Sequence, residues 1–276
     1  MPTTESHLLS LPPELRFQIY HPLLTSPLPL KGPFARHHDS ETYNIHTAIL
    51  RTCKRIHHEA RHVFFGRNTF QINSLPSPQT ETDEGSGAFE PPLQLKDLGL
   101  VRSLEVDLVY WPNVPRTKVG LDGMGWQPVC RAAERYVASL GFVLEAVKDG
   151  LVELKIGGNV RPYVDARVVE SGDGKENGNE AAVDVDVRRL LMGFHVADTN
   201  PRFRNALANM KVQEYDMRFD FPDSHFEFRI ERDVLLKGSL VHLVGQVLIV
   251  RSEVRMKAVL EELGNTEDEQ RMTEKV

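Results

Sequence analysis

The sequence predicts an α+β protein: a helical N-terminal module, then an irregular α/β layer in which helices cover a mixed sheet with a hairpin near its C-terminal end. Three observations predict it. Apolar residues up to about residue 65 recur at helical spacing. From Val101 onward, segments alternating with period two exchange with segments of helical period, the signature of a sheet with helices packed on it. Polar stretches rich in Pro, Gly and Ser separate these runs.

The elements follow in order. Leu11-Pro12-Pro13-Glu14-Leu15 opens a helix, with Ser10 as its expected N-cap and prolines tolerated in the first turn. Leu15, Ile19, Leu23 and Leu24 continue it, and Pro22 is expected to kink or end it. A second helix is expected from Thr47 to Phe65, with Ile49, Cys53, Ile56, Ala60, Val63 and Phe64 as a narrow apolar stripe and Gly66 as its stop. The opposite face carries Arg51, Lys54, Arg55, His58, Arg61 and His62. Asn68–Ile72 reads as a short strand. Val101–Tyr110 and Leu151–Ile156 read as strands, Val129–Val147 as a helix, and Val187–His195 and Phe203–Met210 as helical pieces. Val212–Phe221 alternates, and Phe226, Phe228 and Ile230 alternate again after Pro222-Asp223-Ser224, which predicts a β-hairpin. Leu240–Leu263 is expected to be a long helix.

Ser26–Asp39, Ser74–Pro92 and Glu170–Glu180 read as loops or linkers, too poor in apolar residues to offset the entropy of ordering. The expected organisation is a helical module over 8–72, a linker over 73–92, an α/β recognition module over 93–263 and a polar tail over 264–276.

Composition narrows the function classes. The chain has 276 residues, 41% hydrophobic and 26% charged, an ordinary globular balance for one large or two small domains. Two cysteines, Cys53 and Cys130, exclude a disulfide scaffold. No signal-peptide pattern and no apolar run of membrane-spanning length is present, so a soluble, intracellular protein (cytoplasm, nucleus or both) is expected. The net charge is −6, yet residues 1–70 hold 8 Lys/Arg against 5 Asp/Glu and 8 of the 11 histidines, which suggests modules with different partners.

His58-Glu59-Ala60-Arg61-His62 matches H-E-x-x-H, in which two histidines one helical turn apart bind zinc and the glutamate activates water. The same residues also read as a solvated face: His58 and His62 share the basic side with Arg51 and Arg55, and no third ligand follows. The pair His37-His38 lies in a loop. Cys53 fits a small core residue better than a metal ligand. For the basic face itself, solvation or an acidic protein partner fits better than nucleic acid, because no aromatics interleave and the chain is acidic.

Other catalytic signatures are missing. Gly120, Gly123 and Gly125 do not form a dinucleotide fingerprint, and no phosphate loop or nucleophile elbow occurs. Asp184, Asp186, Asp216, Asp220 and Asp223 read as solvent-facing carboxylates, and Trp111 and Trp126 as core or recognition residues. No enzyme activity, cofactor or metal is expected.

One segment is recognisable. Leu11, Pro12, Glu14, Leu15, Arg16, Ile19 and Tyr20 form L-P-x-E-L-R-x-x-I-Y. Thr52, Cys53, Lys54, Ile56, Glu59 and Ala60 follow, then Phe65, Asn68, Thr69 and Phe70. This order of blocks, covering about residues 8–72, resembles filamentous-fungal F-box-like domain proteins of largely unknown function. The resemblance implies a helical module that docks on the Skp-type adaptor of a cullin ubiquitin ligase. Leu11, Pro12, Leu15, Ile19, Leu23, Leu24, Leu50, Cys53 and Ile56 would supply the apolar contacts, and the second module would hold an unknown protein target. In the alternative, a standalone structural or interaction domain, the same apolar residues pack on the second module and Asn68–Ile72 pairs with Val101–Tyr110 as a neighbouring strand. The chain departs from the usual F-box pattern in the 22 residues of Thr25–His46 between its first two helices.

Overall fold

The computed structural model describes residues 7–33, 43–74, 89–108, 126–159, 187–220, 225–229, 232–250, 252, 253 and 257. In chain order these form α1 (His7–Ser10), α2 (Pro13–Leu24), a 3₁₀ turn (Thr47–Arg51), α3 (Lys54–Arg67), β1 (Thr69–Ser74), β2 (Phe89–Glu90), α4 (Leu95–Leu98), β3 (Ser103–Asp107), α5 (Trp126–Val147) and β4 (Glu153–Asn159). Then come α6 (Val187–Thr199), α7 (Pro201–Asn209), β5 (Glu214–Asp220), β6 (His225–Arg229), α8 (Arg232–Lys237) and a further helix, α9, over 240–250. The fold is α+β, as the sequence predicts.

The six strands form one mixed sheet in the order β2-β1-β3-β4-β5-β6. β1, β3, β4 and β5 run parallel, and β2 and β6 close the edges antiparallel. Register aligns apolar residues in two rows across the parallel strands. One row is Phe70, Leu104, Leu154 and Tyr215; the next is Ile72, Val106, Ile156 and Met217. All eight are buried in one core with Tyr136, Leu140, Leu144 and Val147 of α5 and Phe203 and Leu207 of α7. Full burial of each Leu, Ile or Phe contributes roughly 1.5–3 kcal/mol. The two strands of the expected hairpin pair antiparallel, with Met217 in register with Phe228 and Phe219 with Phe226.

Each parallel strand after β1 is added on the same side of the one before it. Right-handed crossovers therefore put their helices on one face of the sheet. The intervening residues of the strands, such as Gln71, Glu105, Lys155 and Asp216, share the other face and are polar.

Several expectations are corrected. Ser10 does not cap the first long helix: its hydroxyl donates to His7 O at 2.7 Å, and α2 starts after Pro12 with no side-chain cap. Pro22 does not stop α2, which runs two residues further because only its last turn loses an N–H donor. The single helix expected over Thr47–Phe65 is two elements. Thr52 closes a 3₁₀ turn by donating its hydroxyl to Ile49 O at 2.9 Å, and Cys53 is extended, with φ −155° and ψ 165°. Cys53 therefore stands at the N-cap of α3, exposed, and not on the apolar stripe.

The two ends of the Ser74–Pro92 stretch are paired strands, with Asn73 opposite Glu90 and Ser74 opposite Phe89. Within Ser26–Asp39, Leu30 is buried and bridges to β1: its N–H donates to Thr69 O at 2.8 Å and its carbonyl accepts from Gln71 N at 3.0 Å. The chain there satisfies the outer edge of β1. α9 is capped by Asp198 of α6, whose carboxylate accepts from Leu240 N at 2.9 Å and Val241 N at 3.0 Å. His37, His38, Trp111, Asp184, Asp186, Asp223 and the 264–276 tail lie outside the described residues. Among the described residues, no helix is long and apolar enough to cross a membrane.

α5 and α7 cross closely at Gly141, where an added Cβ would lie 3.0 Å from Phe203 N and 3.1 Å from its Cα. The obstacle is backbone, so it cannot rotate away. Gly141→Ala is expected to destabilise the fold by about 1–3 kcal/mol, read as a lower urea midpoint with an unchanged slope.

Candidate functional site

The expected adaptor contacts lie on the helical pair α2–α3 and its flanks: Leu15, Ile19, Leu23 and Leu24 on α2, Ile56 on α3, Leu11 and Pro12 just before α2, Leu50 in the 3₁₀ turn and Cys53 at the N-cap of α3. The pair has its own small core of Tyr20, Leu24, Ile56, Ala60 and Val63, with Leu8, Leu9, Leu23, Ile49 and Leu50 packed around it. Arg16, Tyr20 and Leu24 succeed one another at intervals of four, so one stripe of α2 faces inward.

Arg16 is buried, and its charge is met from α3. Its Nε donates to Glu59 Oε2 at 2.8 Å and its Nη2 to Glu59 Oε1 at 2.7 Å, a bidentate pair. The Tyr20 hydroxyl donates to Glu59 Oε2 at 3.0 Å, Arg55 Nε reaches Oε1 at 3.3 Å, and Arg16 Nη1 donates to Leu11 O. The bonds from Arg16, above all, hold the Glu59 carboxyl down at about 2. The bond to Glu59 raises Arg16, and burial raises Tyr20.

This inward stripe determines what faces out. Of the expected adaptor contacts, Leu15 is 44% exposed and Ile19 36%, one turn apart, and Pro12 and Cys53 are also exposed. Leu11, Leu23 and Leu50 are half-buried. Leu24 and Ile56 are buried inside the pair and support the surface from beneath. Phe17, which the sequence reading passed over, is 40% exposed and meets Tyr20 edge-on.

The H-E-x-x-H residues are divided between the two sides of α3. Both Glu59 oxygens are engaged toward α2, whereas His58 and His62 are exposed, with ring centroids 5.3 Å apart and edge-to-face. Burial lowers His62, helped by His58 and Arg61. Arg61 is bound to Asp97 of α4 at 2.6 Å. Among the described residues, no group of three or more His, Cys, Asp or Glu could hold a metal ion.

The remaining exposed face of α3 is cationic. Lys54 and Arg55 open its first turn, exposed Arg51 ends the 3₁₀ turn before it, no acidic residue occupies the first turn, and Cys53 makes no side-chain cap. Cations at the positive end of a helix dipole each cost about 0.3–1 kcal/mol.

A third feature joins the pair to the sheet. The buried Asn68 amide donates to Leu24 O and Phe64 O, both at 2.7 Å, and its oxygen accepts from Ser26 N at 2.8 Å. The ends of α2 and α3 are thereby clasped at the point where β1 begins.

No family model, curated protein or solved structure matches the chain.

The pH dependence of the Arg16–Glu59 pair has a definite sign. The carboxyl is lowered from 4.5 to about 2 in the folded state, so its stabilisation is present above the unfolded value. It is lost as pH falls from about 4.5 through about 2. Glu59→Gln is expected to lower the melting temperature clearly at pH 7, with the gap to the native chain closing across that window. Thermal melts at pH 7, 4 and 2.5 check this.

Proposed function

We propose that this chain is a non-enzymatic protein-interaction protein, an F-box-type substrate receptor that bridges a Skp-type adaptor of a cullin ubiquitin ligase to another protein. The observation that carries the reading is the division of the L-P-x-E-L-R-x-x-I-Y segment by face. Arg16 and Tyr20 are consumed in holding α2 on α3, while Leu15 and Ile19 stand in solvent one turn apart. Single exposed apolar residues are ordinary; a pair one turn apart, beside exposed Pro12 and half-buried Leu11, is the kind of helix face that partner helices bury. Leu23 and Leu50 would form its rim, and Leu24 and Ile56 its rigid support. Holding the second protein falls to the sheet-bearing part of the chain, and the chemistry to the partners.

Because Leu15 and Ile19 lie outside the small core, their replacement separates binding from folding. Purified Skp-type adaptor is expected to capture the full-length native chain and the His58→Ala variant. Leu15→Asp/Ile19→Asp is expected to lose capture at least about tenfold, in line with loss of central interface anchors, while its circular dichroism and melting temperature stay close to native. No capture by the folded native chain overturns the ligase reading in favour of a standalone interaction domain.

A further inference from the structure

We infer that the exposed face formed by Lys54, Arg55, His58 and His62 of α3, with Arg51 at the end of the preceding 3₁₀ turn, is a docking surface for an acidic segment of a partner polypeptide. The inference goes beyond the adaptor reading and does not depend on it: those residues are distinct from Leu15 and Ile19.

Three observations carry it. The first is charge. Thr47–Arg67 holds five Lys/Arg against one Glu in a chain whose net charge is −6. That one carboxylate, Glu59, is turned toward α2, and Asp97, the acid nearest to Arg61, is bound to it at 2.6 Å. Among the described residues, no carboxylate is paired with Arg51 or Lys54.

The second is local conflict. A 14-residue helix with no side-chain cap and no acid in its first turn, but with Lys54 and Arg55 there, is arranged against its own dipole. Lys54 stands in solvent with no ion pair among the described residues, and Arg55, though it bonds Glu59 Oε1 at 3.3 Å, keeps most of its side chain in solvent. A departure from local stability rules at an exposed position is where a functional demand is expected to lie. An incoming carboxylate would meet the side-chain cations and the uncapped N–H groups together, which reverses the conflict.

The third is the class of polyanion that fits. α3 has 14 residues and so is about 21 Å long, a match for a short helix or extended peptide. α3 exposes no Phe, Tyr or Trp for base stacking: Phe64 and Phe65 pack toward the core, and the rings it does expose, those of His58 and His62, meet each other edge-to-face. A polyanion long enough to reach beyond the N-terminal module would meet residues 71–276, which hold 25 Lys/Arg against 34 Asp/Glu. An acidic peptide is therefore favoured over nucleic acid.

The test uses the full chain and a fluorescein-labelled peptide of about 12 residues, alternating Glu/Asp with Ala, followed by fluorescence anisotropy. Native protein is expected to bind saturably, and more weakly as salt rises from about 50 to about 200 mM. Arg51→Glu/Lys54→Glu is expected to bind about tenfold more weakly or worse. Its melting temperature should be unchanged or higher, because Glu at the start of α3 complements the dipole that Lys54 opposes. Weaker binding with unchanged or raised stability distinguishes a docking role from a structural one.

The proposal is overturned by no saturable signal up to about 1 mM peptide, by equal binding in the variant, or by a lower melting temperature that accounts for the loss. It is equally overturned, in favour of nucleic acid, if a short duplex DNA of the same charge binds more tightly than the peptide. The variant keeps Leu15 and Ile19, so failure here leaves adaptor capture untouched, and failure of capture leaves this result untouched.

Discussion

The buried Arg16–Glu59 pair is the constraint on which the N-terminal half depends. A guanidinium removed from water without a partner is prohibitively unfavourable, so α2 must turn the face bearing Arg16 toward the carboxylate on α3. Bidentate geometry sets more than distance. It fixes the rotation of α2 about its axis, and the Tyr20 hydroxyl on the same carboxylate fixes it again one turn later. A pair of this kind adds modestly to net stability compared with a well-packed apolar substitute, but it discriminates strongly between orientations. Leu15 and Ile19 each lie about 100° around α2 from the buried residue that follows, and with Arg16 and Tyr20 held inside both are exposed.

Asn68 extends that constraint into the sheet. Its one amide group reads three backbone positions: the last turn of α2, the last turn of α3 and the chain leaving α2 at Ser26. A buried amide must satisfy its donors and acceptor, so these backbone segments can meet in few other ways. The next residue begins β1, whose outer edge is satisfied by Leu30 and then by β2, and whose inner edge pairs with β3. The helical pair is thus joined to the sheet by hydrogen-bonded backbone directly after α3.

Much of the fold was legible because periodicity reports burial. The rows Phe70–Leu104–Leu154–Tyr215 and Ile72–Val106–Ile156–Met217 are buried residues at every second position, and α5 shows its apolar face at every third or fourth. What periodicity could not show was which hydrogen bonds break a pattern. A stripe through Ile49, Cys53 and Ile56 looks continuous, yet the Thr52 hydroxyl closing on Ile49 O splits it and puts Cys53 in solvent. At the candidate site, sequence singled out Leu15 and Ile19 but placed them in one set with Leu24 and Ile56, which are buried. Arg16 and Phe17 were passed over as binding-face signals. The usable clue was a lone Arg and a Tyr four apart, on the same side of a helix as Leu24 and opposite a lone Glu, an arrangement that implies a buried pair.

The two sides of α3 show why a short motif can mislead and still be informative. At 3.6 residues per turn, His58 and His62 fall on one side, while Glu59 and Ala60 turn toward α2 and the small core. The pattern that suggests a catalytic centre is therefore divided between a structural side, which consumes the glutamate, and a solvent side, which keeps the histidines with Lys54. Folding accounts for the inner set completely, since each member has a partner or a place in the core. It does not account for Lys54, an exposed cation in the first turn that opposes the dipole of the helix that carries it. A residue pattern that folding explains needs no further cause; one that folding would disfavour does, and on α3 the two lie side by side.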